Sequence, residues 1–196
     1  MKSKLISLVI MALVALSLMV PGSVVAADTT SQSEVVLAQQ SAQNWLDGIA
    51  SSRPDIAKWQ SATVTSPQVF HDVKDNVVGY LFTISAKDEA AGFIMVGNAS
   101  YEYNVFEASD GRPLSTPSAS DVKYAVSKLG IVVTDEKNIN PVNYIYGGTS
   151  SFYAVYDLDG KKVAYNLLLK KVIMASDIQS NLLPPDRYLE VRTNLR

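Results

Sequence analysis

Hydrophobic residues recur at helical spacing between residues 33 and 50. Their positions lie three or four residues apart: Val35, Ala38, Ala42, Trp45 and Ile49. Polar side chains occupy the opposite side, so the pattern predicts an amphipathic α-helix with one face toward a core. Ser31 and Glu34 have the spacing of a capping box at its start. Arg53-Pro54 ends the helix, and Pro54 begins a short second helix that turns Trp59 inward.

From residue 63 onward the spacing changes to that of β-strands. Four β-branched and aromatic segments lie at residues 63–70, 77–85, 93–97 and 104–108. The short turns between them predict antiparallel hairpins rather than crossover connections. In the second segment, Tyr80, Phe82 and Ile84 fall on one face of the strand. The sheet therefore has at least one covered face, and the helix at 33–50 is its predicted cover.

The second half of the chain uses the same two patterns. Its predicted elements are a helix at 120–129, a strand at 131–134, strands at 149–158 and 161–175, and either an edge strand or an irregular tail at 188–191. Ser118 or Ser120 caps the helix, and Asp159-Gly160 predicts a type I′ hairpin. The polar segment 135–143 reads as a loop and a soft domain boundary. We therefore predict an α+β fold: an N-terminal amphipathic helix packed on a curled antiparallel sheet, with a second helix and a C-terminal hairpin.

Residues 1–27 have the anatomy of a signal peptide. The parts are a basic start (Lys2, Lys4), an uncharged apolar run (5–20), a Pro21-Gly22 breaker and a small-residue end. Cleavage after Ala26 or Ala27 leaves a single α+β domain, residues 28–196. An uncleaved anchor is the alternative, although the apolar run is shorter than the roughly 20 residues of a membrane span. We expect a secreted or extracytoplasmic cell-surface protein that meets the membrane only during export.

The composition excludes several kinds of chemistry. The 196 residues include no cysteine and a single histidine, His71. A thiol enzyme, a disulfide-stapled domain, a zinc finger and a multi-histidine metalloenzyme are therefore excluded. Without Lys2 and Lys4, 19 acidic residues face 15 basic ones, and the net charge moves from −2 to −4. A mildly acidic chain without a clustered basic face is not expected to bind nucleic acid.

No residue pattern designates a catalytic, cofactor or metal site. His71 beside Asp72 has the pairing of a catalytic base, but no nucleophile accompanies it, so a turn or surface histidine is favoured. The segment 157–160 begins like a calcium loop, yet Lys161 occupies the fifth position, where an oxygen ligand is needed. A hydrolase that uses carboxylates alone remains an alternative without a signature. We predict a protein that is not an enzyme and has no cofactor.

Two features near residue 100 are candidates for a surface site. The tripeptide that starts at Asn98 is the chain's one N-glycosylation sequon, which makes Asn98 a candidate glycosylation site. Tyr101 and Tyr103 follow it and predict an aromatic contact surface. A strand whose alternate residues face the core would explain the same pair.

Three segments that follow the alanine-rich helix form a pattern that is also found in other proteins. They read GYLFTI at 79–84, AGFIMVG at 91–97 and VFEASDGRPL at 105–114. Over residues 33–115 the chain resembles the N-terminal prodomains of secreted cysteine peptidases of the streptopain-like and C39-like kinds. It is also similar in plan to PepSY and cystatin-like domains, in which a helix packs on a curled sheet.

This resemblance implies a non-catalytic, protein-binding role. The implied function is that of a prodomain-like inhibitor or folding assistant of an extracytoplasmic peptidase, with a cysteine peptidase as partner. The sequence contains no cysteine, so the catalytic part of such a precursor is missing from it, and no functional residue of the family carries over. The alternative is a structural or adhesive cell-envelope protein that binds polymer or neighbouring subunits.

Overall fold

The computed structural model describes residues 29–53, 56–134 and 139–194. The α-helices are α1 (Thr29–Ser52), α2 (Ala119–Ser127) and α3 (Pro185–Asn194). The β-strands are β1 (Thr63–His71), β2 (Val77–Ala86), β3 (Glu89–Gly97), β4 (Val105–Ser109), β5 (Asn143–Tyr146), β6 (Phe152–Leu158), β7 (Lys161–Asn166) and β8 (Val172–Met174). Residues 32–196 form one compact unit. The predicted signal peptide, residues 1–27, and the predicted helix start at Pro54 lie outside the described residues.

The strands of these ranges form one sheet in the order β4-β3-β2-β1-β5-β6-β7-β8. Neighbours pair as antiparallel strands within each half. The halves meet where β1 runs parallel to β5 through the pair His71 and Ile145. The predicted α+β class is confirmed, and the sheet is mixed at this one junction. Among the described residues, no helix is long and apolar enough to span a membrane.

Helix α1 covers the outer face of β1–β4, as its apolar stripe predicts. Ala38 and Leu46 are fully buried and belong to one hydrophobic cluster with Tyr80, Phe82 and Ile84. The alternation within β2 therefore separates its two faces as expected. Because α1 is already helical at residue 31, the capping box expected at that position does not form the start of the helix.

Polar contacts and the two tryptophans also attach α1 to the sheet. Gln43 accepts a hydrogen bond from the Val64 backbone N–H at 3.0 Å. Trp59 is only 3% exposed and packs edge-on against Trp45, with 6.0 Å between ring centroids. Its indole N–H donates to the Ala91 carbonyl at 3.2 Å. The prediction that these tryptophans pack inward is confirmed for Trp59, while Trp45 lies partly buried at the edge of the cluster.

The inner faces of the two half-sheets pack against each other. Phe152 of β6 contacts Phe70 of β1 and Phe93 of β3, with ring centroids 5.7 and 5.4 Å apart. Three strands separate β3 from β6 in the sheet order, so these ring contacts require the sheet to fold over on itself. Phe106 of β4 and Tyr146 of β5 also meet across the fold, as parallel stacked rings whose centroids are 5.7 Å apart. The curled sheet thereby encloses a shared inner core.

Local irregularities in the first half permit this curl. The register shifts twice between β1 and β2 and once in each of the β2–β3 and β3–β4 pairs. Such bulges bend a strand and increase its twist. Pro67 lies at one of the shifts, where a missing backbone donor costs little. Gly97 allows the Phe106 ring to approach the strand, because a Cβ there would lie 2.6 Å from it.

Helices α2 and α3 pack onto the inner core. Val122 and Val126 of α2 are fully buried in it, and Ser118, one of the two predicted caps, forms a capping box with Asp121. Helix α3 replaces the edge strand or tail expected at 188–191 and begins at a proline, which favours the first helical position. Tyr188 of α3 packs edge-on against Phe106, 5.0 Å between centroids.

Three other expectations need correction. Residues 131–134 form no strand, although Ile131 and Val133 are buried, because an irregular segment turns them both into the inner core. The strand expected at 161–175 is β7 and β8, separated by a turn. Asn166 sets that turn, since its side-chain oxygen accepts from the Leu168 and Leu169 N–H groups at 3.0 and 2.7 Å. Finally, β5 begins inside the segment expected to be a loop, of which residues 135–138 lie outside the described residues.

Removal of the Phe152 ring should test the shared inner core. We expect Phe152→Ala to lower the free energy of unfolding by about 3–5 kcal/mol, because a fully buried aromatic side chain leaves a cavity between the two half-sheets. Val132→Ala is the control: Val132 is 79% exposed and should change stability by less than about 0.5 kcal/mol. Denaturant unfolding measures both. A loss below about 1 kcal/mol for Phe152→Ala would contradict a common core.

Candidate functional site

Tyr101 and Tyr103, the predicted aromatic contact surface, lie on opposite sides of the sheet and do not form one exposed surface. Tyr101 is 6% exposed and belongs to the inner core, and its hydroxyl donates to the Leu183 carbonyl at 3.1 Å. Tyr103 packs partly buried against the cluster under α1, on the opposite side of the sheet. Neither residue lies in a strand, since Tyr101 ends a short 3-10 helix and Tyr103 has a left-handed φ of 51°. The core interpretation therefore holds for Tyr101, but without the expected strand.

Asn98 has a structural role in the same turn. Its side-chain amide donates to the Val77 carbonyl at 2.7 Å, and its side-chain oxygen accepts from the Ser100 N–H at 3.0 Å. These bonds cap the short helix that carries Tyr101 into the core. A glycan on Asn98 stays a prediction; the glycosylated amide would keep one N–H, and the Val77 bond would need that N–H.

A groove of about 960 Å³ lies beside the junction of the two half-sheets. We call it the His71 groove; its lining includes His71, Asp75, Val73, Val142, Lys161 and Lys162. Strands β1 and β5 place its centre, because His71 ends β1 opposite Ile145. The start of the β7 strand supplies the two lysines. The groove therefore forms only when both half-sheets are joined.

The outer face of β5–β8 forms the floor of the groove. This face has a small cluster of its own, in which Val155, Ala164 and Ile178 are buried. No α-helix of the described ranges covers this face. A short segment, the 3-10 helix Ala175–Asp177 followed by Ile178, covers part of it. Since α1 covers the matching face of β1–β4, the two outer faces of the sheet are protected unequally.

Apolar side chains are exposed on the rim of the groove. Val73 is 48% and Val142 60% exposed, and each lies in a polar turn or loop beside the strand junction. Asn143 donates to the Asp75 carboxylate at 2.7 Å, which fixes the Val73 turn to β5. Sequence patterns did not identify these residues. A valine between charged neighbours in a turn, as at Val73, is the one local signal that could have done so.

The aspartate turn on the rim is well ordered by its own hydrogen bonds. The Asp72 carboxylate accepts from the backbone N–H groups of Lys74 and Asn76 at 2.7 and 2.9 Å, and from the Asn76 amide at 3.0 Å. Partial burial alone would raise the pKa of Asp72. The hydrogen bonds and the Lys74 charge outweigh it and hold the pKa below its usual 3.8.

Charge on the other rim comes from Lys161 and Lys162. Both side chains are exposed, and neither has an ion-pair partner within the described ranges. Asp72 and Asp75 line the same groove, so its lining carries both negative and positive charges beside apolar side chains. Such an arrangement can bind and orient an extended polypeptide segment through charge complementarity.

Two polar atoms remain buried without a hydrogen-bond partner in the described residues: Nδ1 of His71 and the Tyr156 hydroxyl. His71 lies beside Asp72 in the chain, but the Asp72 carboxylate is engaged by its own turn. The Tyr156 hydroxyl belongs to the inner core, where burial raises its pKa. No group of three metal-ligating side chains occurs among the described residues.

Comparison with known proteins gives no relative: no family model, no curated protein and no solved structure matches the chain.

The lowered pKa of Asp72 predicts a pH-dependent contribution to stability. A depressed folded-state pKa stabilises the fold above the unfolded value of 3.8, and this contribution is lost as the pH falls through the folded value. We expect Asp72→Asn to be less stable than wild type at neutral pH, by less than about 1 kcal/mol because solvent screens the site. The difference should shrink in acid. Denaturant unfolding across the acidic range checks this, with the exposed Asp88→Asn as control; a difference that is constant with pH would contradict it.

Proposed function

We propose that this chain is an exported, non-catalytic binding domain that inhibits an extracytoplasmic cysteine peptidase or assists its folding. The His71 groove carries the proposal, because it is a large concavity with exposed apolar groups and charged rims. Binding sites differ from ordinary surface in this combination of a concave shape, apolar contact area and a few placed charges.

The occupant that fits the groove best is an extended segment of the partner. An apolar side chain of that segment would lie between Val73 and Val142, where it would bury surface that is otherwise exposed to water. An acidic residue beside it would face Lys162, which lies on the outer face of β7 with Ala164 and has no ion-pair partner in the described part of the chain. This pattern predicts a partner segment that alternates acidic and apolar residues.

Two features of the sequence support export and a peptidase as partner. Residues 1–27 have the composition of a signal peptide. The segment 33–115, which resembles cysteine-peptidase prodomains, contains α1 and β1–β4 and forms the helix-covered half of the fold. The His71 groove lies at the border of this half, so the half that resembles no family supplies much of the proposed binding surface.

Inhibition of a purified streptopain-like cysteine peptidase tests the proposal. We expect the protein to inhibit it with a measurable Ki and to co-elute with it in size-exclusion chromatography. Val142→Asp should raise Ki at least about tenfold, because it places an unpaired charge in the apolar part of the interface. Val132→Asp is the matched control, since Val132 is exposed but does not line the groove.

The alternatives give different results in the same experiment. Equal losses of inhibition for Val142→Asp and Val132→Asp would show that the peptidase does not contact the groove. Absence of both inhibition and complex formation, together with sedimentation of the protein with cell-wall polymer, would favour the structural or adhesive envelope function. Circular dichroism of both variants ensures that the comparison is made on folded protein.

A further inference from the structure

The curled sheet opens at one end into a second concavity of about 550 Å³. We call it the Arg112 pocket; its lining includes Phe93, Arg112, Leu114, Tyr165, Leu167 and Lys170. Phe93, Tyr165 and Leu167 are buried members of the inner core. The pocket therefore borders the packed core between the half-sheets. The mouth of a curled or closed sheet is a common location for binding sites of small ligands.

Part of the pocket lining is apolar. Leu114 is half-buried and Leu168 is 37% exposed, so both offer accessible aliphatic surface. Phe93, Tyr165 and Leu167 also line the pocket but, at 9% exposed or less, contribute little accessible area. A ligand group with a ring or a short alkyl chain would bury apolar surface here without any rearrangement of the strands.

The entrance carries two positive charges that the described residues do not neutralise. Arg112 and Lys170 are exposed, and neither has an ion-pair partner there. The nearest acid in sequence to Arg112 is Asp110, which instead pairs with Lys58 at 3.6 Å. Lys58 also donates to the Asp110 backbone carbonyl. Arg112 is therefore available for an external anion.

The one acid in the lining is already occupied. Asp121 accepts from the Ser118 hydroxyl at 2.6 Å and from the Ser118 N–H at 3.3 Å in the capping box of α2. Its negative charge is further offset by the N-terminus of that helix. With Arg112 and Lys170 the lining has two positive charges and one negative charge, so its net charge favours an anion.

Both sides of the entrance are held in place before any ligand arrives. Asn166 is 4% exposed and fixes the turn that ends at Lys170 through its bonds to two backbone N–H groups. On the other side, the Thr116 hydroxyl and the Tyr144 hydroxyl are 2.7 Å apart, which attaches the segment after Arg112 to β5. Preorganisation of this kind lowers the entropic cost of binding.

We propose that the Arg112 pocket binds an apolar carboxylate. The carboxylate pairs with Arg112, which can form two parallel hydrogen bonds to it, and with Lys170. The attached apolar group lies against Leu114 and Leu168, the lining leucines with accessible surface. Two sources supply this chemistry: the carboxyl terminus of a polypeptide that ends in an apolar residue, and a small aryl or alkyl acid. The site is separate from the His71 groove and does not depend on peptidase inhibition.

Calorimetric titration of the full chain with matched probes tests the site. The probes are 4-phenylbutyrate, its uncharged analogue 4-phenylbutanol, and the peptide acetyl-Ala-Ala-Phe as free acid and as amide. We expect the acids to bind saturably and at least about tenfold more tightly than their neutral partners, with affinity falling as salt rises. Preference for the peptide acid over 4-phenylbutyrate identifies a polypeptide terminus, and the reverse order identifies a small acid.

Charge-removing variants locate the site. Arg112→Gln and Lys170→Gln should each weaken binding of the acids several-fold and leave the neutral probes unchanged, and Arg112→Lys should recover part of the loss. Lys171→Gln is the matched control, because Lys171 neighbours Lys170 but does not line the pocket. Backbone amide shifts on ligand addition should fall on residues 111–116 and 167–170.

Four results would overturn the proposal. They are equal affinity for acid and neutral probes, equal losses for Lys170→Gln and Lys171→Gln, amide shifts confined to the His71 groove, and absence of saturable binding by every acid. A folded Arg112→Gln variant, checked by near-UV circular dichroism, ensures that a loss of binding reports the charge and not the fold.

Discussion

The contact between the inner faces of the two half-sheets is the constraint on which the rest of the structure depends. Phe152 of β6 meets Phe70 and Phe93 from strands that lie elsewhere in the sheet order. These contacts need a sheet that folds over on itself, and the bulges of the first half allow it. Because the fold buries the inner face between its own strands, α1 is free to cover an outer face.

The unequal protection of the outer faces explains where the His71 groove lies. Helix α1 buries the outer face of β1–β4, whereas a short segment around Ile178 covers part of the outer face of β5–β8. The uncovered part becomes the His71 groove, and the open end of the curl becomes the Arg112 pocket. The Arg112 pocket is lined largely by loops and turns, as is common for binding sites, whereas strands and loops share the lining of the His71 groove. The first suits a polypeptide segment and the second a small or terminal anionic group.

Sequence patterns correctly predicted the elements that pack against one other element. Their side chains follow the regular spacing of a helix or a strand. The stripe of α1, the faces of β2 and the Asp159-Gly160 hairpin, whose residues have positive φ angles of 52° and 79°, are all observed as predicted. The patterns failed where one segment packs between several elements. Tyr101 alternates with Tyr103 as in a strand, but a left-handed turn sends the first into the inner core and the second under α1.

Sequence patterns alone predict the α+β class, the helix that covers the sheet and most of the hairpins, because local period and turn chemistry act over a few residues. The sequence also bounded the chemistry, since no cysteine and a single histidine are present. The parallel junction of β1 and β5, the tight packing of the two half-sheets and both concavities become visible in the folded chain alone. These features join residues that are far apart in the chain, such as His71 and Ile145, and no local pattern encodes which distant strands will pack together.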